Sequence, residues 1–324
     1  MTDYSTAKGT LVSYRTATDP DNPQLGEVWY RSDTGDVKVR ANVGAWSTGG
    51  NLSVSKNGMG ASKNGTQTST IVAGGNSPTY TSNSESYNGT AWTEVNNLNT
   101  GRDTLGGAGV SNTSALVFTG NLNPVTNATE SWDGSTWSEV NDLTGTAVLG
   151  IMGCGTQTAA IGAGGYNGGV FTKTESWNGT SWTEVNDLGT GRYGGGIFGT
   201  QTAAISAGGG TNPSGAKTSA TESWNGTSWT EIAEYNTQRN HSGGAGTQTL
   251  GMIAGGNLVP GSSANTELWD GTAWSEAADL SVARPTSGSG GSGTQTAALA
   301  FGGGPAGNTE EWNIGGTTQT VTTS

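Results

Sequence analysis

From about residue 51 onward, short runs of apolar and small residues alternate with polar turns, and the runs keep a fixed order. In the stretch that begins at Tyr193, Gly194 to Phe198 reads as one strand, Gly199-Thr200-Gln201 as a turn, and Thr202 to Ala207 as a second strand closed by Gly208-Gly209. After a variable loop come Ala220 to Trp224, the turn Asn225-Gly226-Thr227, and Trp229 to Ile232. Runs of this length bounded by Gly, Asn and Asp predict strands. No window carries the i, i+3, i+4, i+7 apolar pattern of a helix without being cut by Gly.

The order repeats six times. Its clearest marker is Glu, any residue, then Trp or Tyr, with the acids at Glu85, Glu130, Glu175, Glu222, Glu267 and Glu310, separated by 45, 45, 47, 45 and 43 residues. Asn-Gly or Asp-Gly follows at residues 88, 133, 178, 225 and 270, and Gly-Thr-Gln-Thr recurs at 65, 155, 199, 246 and 293, with Val110-Ser111-Asn112-Thr113 in its place in the second repeat. Asn-Gly between β-type runs is a strong hairpin signal. A period in the forties built from strands predicts units that bury apolar surface only against their neighbours. The expected fold is all-β: a six-bladed β-propeller of four-stranded antiparallel blades over residues 51–324, preceded by a small β-hairpin module over 1–50.

The repeat resembles the kelch family of propellers. That pattern reads here as Arg192, the doublet Gly208-Gly209, Glu222-Ser223-Trp224-Asn225 and Trp229, and the resemblance covers residues 51–324. It departs locally: Thr119-Gly120 replaces one doublet, Ala147 stands where Arg is expected, and Thr317 falls at the second Trp position of the last unit. Two segments compete for the outer strand of the last blade, Thr318 to Thr323 and the stretch containing Trp46. The C-terminal one is favoured.

Gly makes up 57 of 324 residues, without a collagen-like period, and 12 Trp speak against a disordered tract. The net charge of -12 is carried almost wholly by the repeats, an acidity that disfavours DNA or RNA as a partner. Cys154 and His241 are the only residues of their kinds, so no intrachain disulfide and no Cys/His metal cluster is expected. No signal-peptide pattern opens the sequence and no apolar run approaches membrane-spanning length, so neither general secretion nor a membrane span is expected.

The repeated glutamates raise one chemical question. A four-residue loop after Trp177 places Glu175 opposite Glu184, and likewise Glu85 by Glu94, Glu130 by Glu139, Glu222 by Glu231 and Glu267 by Glu276. Opposed acids need a cation, which Arg102, Arg192, Arg239 and Arg284 are placed to supply, as is a bound metal. A two-residue Asn-Gly turn separates the acids instead, and it is the favoured reading, with no metal and no cofactor expected. The glycosylation-like triplets at Asn88, Asn178 and Asn225 are read as turns because they recur at one place in the repeat. Ser131-Trp132-Asp133-Gly134 resembles the Asp-box of sialidase propellers but lacks the residue between Asp and Gly. A copper site of the galactose-oxidase kind needs more Cys and His than the chain has. No catalytic residues are assigned.

The loops after the doublets, at 76–83, 121–128, 166–173, 210–219, 257–265 and 304–307, all differ, as do the connections between blades around Arg102-Asp103, Tyr193, Arg239-Asn240-His241 and Arg284-Pro285. Variable loops on a rigid scaffold are the expected recognition face. Its candidate binding residues are Tyr80, Tyr166, Phe171, Tyr193 and His241 for aromatic contact, and Lys173, Lys217 and Arg239 for charge. Near the N-terminus, Gly26 to Arg40 followed by Gly44-Ala45-Trp46 predicts a hairpin around Asp33-Thr34-Gly35 plus a third strand, after a polar turn at Pro20 to Pro23. This segment resembles a module of phage tail-fibre and other virion proteins. The resemblance implies a non-enzymatic virion protein of a phage tail or fibre, present in multiple copies. Its N-terminal module is then expected to join other virion proteins, and its propeller to meet a host-surface glycan or protein. A lectin-like propeller and a glycan-active propeller enzyme are the alternatives.

Overall fold

The computed structural model describes residues 12–15, 18–20, 27–212, 214–284, 291–303 and 307–321. Pro285, residues 304–306, part of the turn at Pro20 to Pro23 and the last residues of the Thr318 to Thr323 segment lie outside them. Each of the first five repeats forms four antiparallel strands in sequence order from the axis outward, the sixth contributes three, and the six sheets form a propeller ring. Blade 1 consists of Gly60–Ala61, Thr70–Ala73, Ser84–Tyr87 and Trp92–Val95, and blade 2 of Gly106–Ser111, Ser114–Phe118, Thr129–Trp132 and Trp137–Val140. Blade 3 consists of Met152–Gly155, Ala160–Ala163, Thr174–Trp177 and Trp182–Val185, and blade 4 of Gly196–Thr200, Ala203–Gly210, Lys217–Trp224 and Trp229–Ile232. Gly243–Gly246, Gly251–Ala254, Thr266–Trp269 and Trp274–Ala277 make blade 5.

Blade 6 closes differently from the expectation. Its first three strands are Gly291–Gly293, Ala297–Phe301 and Thr309–Val321, and its outer strand is Asp36–Thr48 from the N-terminal part of the chain. Trp46 takes the outer-strand Trp position, with its ring 5.4 Å from that of Trp312. The other outer-strand tryptophans sit alike, as in Trp177–Trp182 at 5.5 Å and Trp269–Trp274 at 5.3 Å. The C-terminal segment is instead the continuation of the third strand.

By internal contacts the chain forms two compact units, Met1–Ala45 with Asn313–Ser324, and Trp46–Trp312, a division that differs from the expected one at residue 50. In the smaller unit, Val28–Arg31 pairs with Asp36 to Val39 around the expected turn, and Val12–Arg15 runs parallel to Val28–Arg31. The expected third strand is continuous with the second as Asp36–Thr48. Trp29 is fully buried and donates to Asp19, while Arg31 bridges Asp19 and Asp33.

The propeller core lies between blades. Phe118 and Leu116 of blade 2 pack with Ile151, Trp177 and Trp182 of blade 3, and Leu299 and Phe301 of blade 6 pack with Val72, Tyr87 and Trp92 of blade 1. At the axis the inner strands lie almost backbone to backbone. A β-carbon on Gly107 would stand 2.4 Å from the Ala61 carbonyl oxygen, so only Gly fits there.

Candidate binding face at the loop end of the propeller

Antiparallel connectivity puts the first–second and third–fourth turns at one end of the ring, and the second–third loops with the inter-blade connections at the other. The turn end is committed to holding blades together. Gln157, Gln201, Gln248, Gln295 and Gln67 of the Gly-Thr-Gln turns each donate to the carbonyl of the third-strand Trp of the preceding blade, as in Gln248 to Trp224 at 2.6 Å and Gln295 to Trp269 at 2.7 Å. The third-strand Trp indoles donate back to the Gln or Asn carbonyl of their own blade, as in Trp224 to Gln201 at 2.8 Å. A chain of hydrogen bonds results that runs from Gln67 through blades 6, 5, 4 and 3 to Asn112 of blade 2, which donates to Ser86 of blade 1.

The Asn-Gly turns are four-residue loops, not the favoured two-residue ones. Trp177 pairs with Trp182 and Glu175 with Glu184, and the same register holds in blades 1, 2, 4 and 5. The Asn178 side-chain oxygen accepts from the N–H groups of Thr180 and Ser181, both at 2.9 Å. That capping makes the longer loop preferable to a tight turn, and it accounts for the glycosylation-like triplets by turn chemistry.

The opposed acids do receive protein cations. Lys56 meets Glu85 at 3.1 Å, Arg102 meets Glu130 at 2.6 Å, Arg192 meets Glu222 at 2.5 Å and Arg239 meets Glu267 at 2.7 Å, all buried, and Arg284 pairs with Glu310. The other carboxylate oxygen accepts a backbone N–H from the connection entering the blade, as from Asn99 to Glu130 and Asn236 to Glu267. In blade 3 the equivalent of the Arg is Val148, not Ala147, since Gly120 donates to the Val148 carbonyl as Gly75 does to that of Arg102. Glu175 instead accepts from Thr144 N–H, Thr144 O–H and Gly145 N–H.

At the loop end, the connection entering each of blades 1 to 5 carries one residue in the left-handed region: Gly58, Thr104, Gly150, Gly194 and His241, with φ between 54° and 69°. Their backbones link in sequence round the mouth of the ring. Thr104 N–H donates to Gly58 at 2.6 Å, Gly150 to Thr104 at 2.9 Å, Gly194 to Gly150 at 2.8 Å, and His241 to Gly194. The cavity within, lined by Lys63, Ile151, Met152, Ile197 and His241 among others, has a volume of about 20 Å³, room for about one water. Towards the turn end, Lys63-Asn64 is an insertion relative to the other Gly-Thr-Gln blades, and Asn64 donates to Gly199 at 2.6 Å and accepts from Gly155 at 3.0 Å. Blade 1 thus reaches blades 3 and 4 across the axis.

His241 occupies a backbone position otherwise held by Gly or Thr, at a conformational cost of order 1 kcal/mol. Its imidazole lies where a β-carbon on Gly194 would come within 2.8 Å, 6.0 Å from the Tyr193 ring and 3.3 Å from Asn257 Nδ2. Burial, with a smaller push from the charge of Lys217, lowers its pKa to about 4, so the ring is neutral at pH 7. Tyr193 in turn lies 5.5 Å from Tyr166, and burial raises its pKa. Lys217 is carried by the strand paired with Gly210, which itself pairs with Tyr193.

Four of the expected rim residues are therefore brought together: Tyr166, Tyr193, His241 and Lys217. The other four are not. Tyr80, 38% exposed, accepts from Asn121 at 2.9 Å beside blade 1. Phe171 packs on the blade 2–blade 3 core, and Lys173 pairs with Glu184 at 2.5 Å and Asp187 at 3.4 Å. Arg239 is wholly buried on Glu267 and offers the rim no charge, because the carboxylate in its own blade claims it. Asn257 and the groove residues Leu258 to Pro260 lie in the loop 257–265 expected on this face but were not singled out, and Gln238 was missed; the apolar Leu-Val-Pro run in a polar loop was the available signal.

No family profile matches the chain, and no curated protein matches it in sequence. Among solved structures, 293 chains match, including one titled "Structure of YjhT", with a TM-score of 0.68 and 14% identity over 84% of this chain and 100% of that one. At that identity the similarity speaks for fold alone, and a fold shared so widely carries no function of its own. The chain is a six-bladed β-propeller.

Proposed function

We propose that the protein is a non-enzymatic structural protein of a phage virion, tail- or fibre-associated, whose N-terminal segment attaches it to other virion proteins and whose loop end meets a host surface. The observation that carries the recognition part is the division of labour between the two ends. The turn end is consumed by blade-to-blade hydrogen bonds, while the loop end gathers Tyr166, Tyr193, His241 and Lys217 from blades 3 to 5. The virion part rests on the phage-module resemblance of residues 26–46 and on the kelch-type repeat with no catalytic constellation assigned to it.

The repeated acids support a non-catalytic reading, since each is engaged in holding its own blade to the entering connection. Mass spectrometry of purified particles tests the proposal: the chain should appear in stoichiometric amount, and its absence sinks the virion reading. A free lectin is the second reading, favoured by the Tyr166–Tyr193 pair, whose tilted rings suit stacking on a sugar face. Glycan binding by a chain absent from particles would select it.

A further inference from the structure

Beside the aromatic cluster, the loops of blades 4 and 5 enclose an open groove of about 580 Å³, within the range of small-molecule sites. Part of its lining is apolar: Leu258, Val259 and Pro260, with Val259 76% exposed, the most open large hydrophobic side chain among the described residues. Three consecutive apolar residues lining one groove, rimmed by polar groups, form the kind of patch that contact surfaces use. Lys217, Ser214 and Gln238 also line the groove, Lys217 next to the Leu258 carbonyl.

Lys217 is the informative residue. Its ammonium is held by the carbonyls of Leu258 at 3.3 Å and Gly215 at 3.4 Å, long contacts to neutral acceptors that leave donor capacity on a three-donor group. Among the described residues no carboxylate pairs with it, whereas Lys173 has two and Arg102, Arg192, Arg239 and Arg284 are each matched to a Glu. A cation left unmatched in a protein of net charge -12 is placed for an anion brought from outside.

We infer that this groove is a subsite for a saccharide unit bearing an anionic substituent, a carboxylate or a phosphate, with Lys217 as its counter-ion and Val259 and Pro260 beneath the apolar face of the sugar ring. Ser214 and Gln238 are placed to exchange hydrogen bonds with ring hydroxyls. The inference rests on the reading of the loop end as a recognition face and names what that face takes.

Calorimetric titration of the full chain with tri-galacturonate, glucose 6-phosphate and neutral maltotriose tests it. At least one anionic probe should bind, and the one that does separates carboxylate from phosphate. Lys217→Gln should weaken that binding tenfold or more, Lys217→Arg should restore it to within a few-fold, and Val259→Asp, at an exposed site that leaves folding intact, should weaken it as well. Equal binding of maltotriose, unchanged binding by Lys217→Gln and Val259→Asp, or no binding of either anion overturns the inference. Because the titration needs no particle, its failure leaves the virion test standing, and absence from particles leaves the titration standing.

Discussion

Arg239 donates to Glu267 at 2.7 Å with neither side chain exposed, and the second oxygen of Glu267 accepts the Asn236 N–H. The pair joins the connection entering blade 5 to that blade's third strand. Removing one partner strands a buried charge, so Arg239→Ala and Glu267→Gln should each cost about 3–5 kcal/mol. Glu175, which has hydrogen bonds but no guanidinium in blade 3, should lose only about 1–2 kcal/mol as Glu175→Gln. Urea unfolding of the three variants checks the order, and equal losses would show that the cation is not what matters.

Ring closure gives a second test. The Trp46 indole donates to Thr266 at 2.9 Å, just as Trp92 donates to Thr309 and Trp182 to Thr129. Trp46→Ala should therefore destabilise by about 2–3 kcal/mol, less than Trp182→Ala because Trp46 is only partly buried. A thermal melt of Trp46→Ala that matches wild type would return closure to the C-terminal segment.

Lys63 couples stability to pH. Enclosure near the axis lowers its pKa from 10.5 to about 8, the main cause being desolvation, so the folded chain binds this proton more weakly than the unfolded one. The resulting penalty is fully present below pH 8 and is relieved as pH rises towards 10.5. Lys63→Met should accordingly stabilise at pH 7 by on the order of 1–2 kcal/mol, since part of the side chain still meets water, and the gain should shrink by pH 10. Melting temperatures of both proteins from pH 6.5 to 10 measure it; parallel curves would contradict the account.

Cys154 is buried, and desolvation pushes its thiol up to about 12. It should resist iodoacetamide in the native protein at pH 8 and react once the chain is unfolded. Rapid native labelling, read by intact mass, would show that blade 3 opens.

Much of the fold was legible because strand period, turn residues and repeat spacing all express one local geometry. What eluded the sequence depended on competition between alternatives of similar local merit. Asn178-Gly179 suits a two-residue turn, and the four-residue loop wins only because the Asn178 side chain caps Thr180 and Ser181. Trp46 and the C-terminal segment both had strand character, and which one pairs is decided by a slot between Trp312 and Thr266 that exists only in the assembled ring. At the candidate site, Tyr166, Tyr193, His241 and Lys217 were legible one by one as residues of variable loops. Their meeting was not, since it follows from loop paths such as the pairing of Tyr193 with Gly210. Arg239 misled because a cation beside a variable connection looks like surface until the buried acid of its own blade is located.

The position of Trp46 also sets an order of events during synthesis. Its partner Thr266 lies 220 residues later, so at about 5–20 residues per second the outer strand of blade 6 emerges on the order of ten seconds or more before the groove that receives it exists. Through that interval a nascent chain carries an unpaired strand and an open blade edge, each able to join the wrong neighbour. Crowding of ribosomes on one message should thus lower the yield of folded protein, with the defect falling on blade 6.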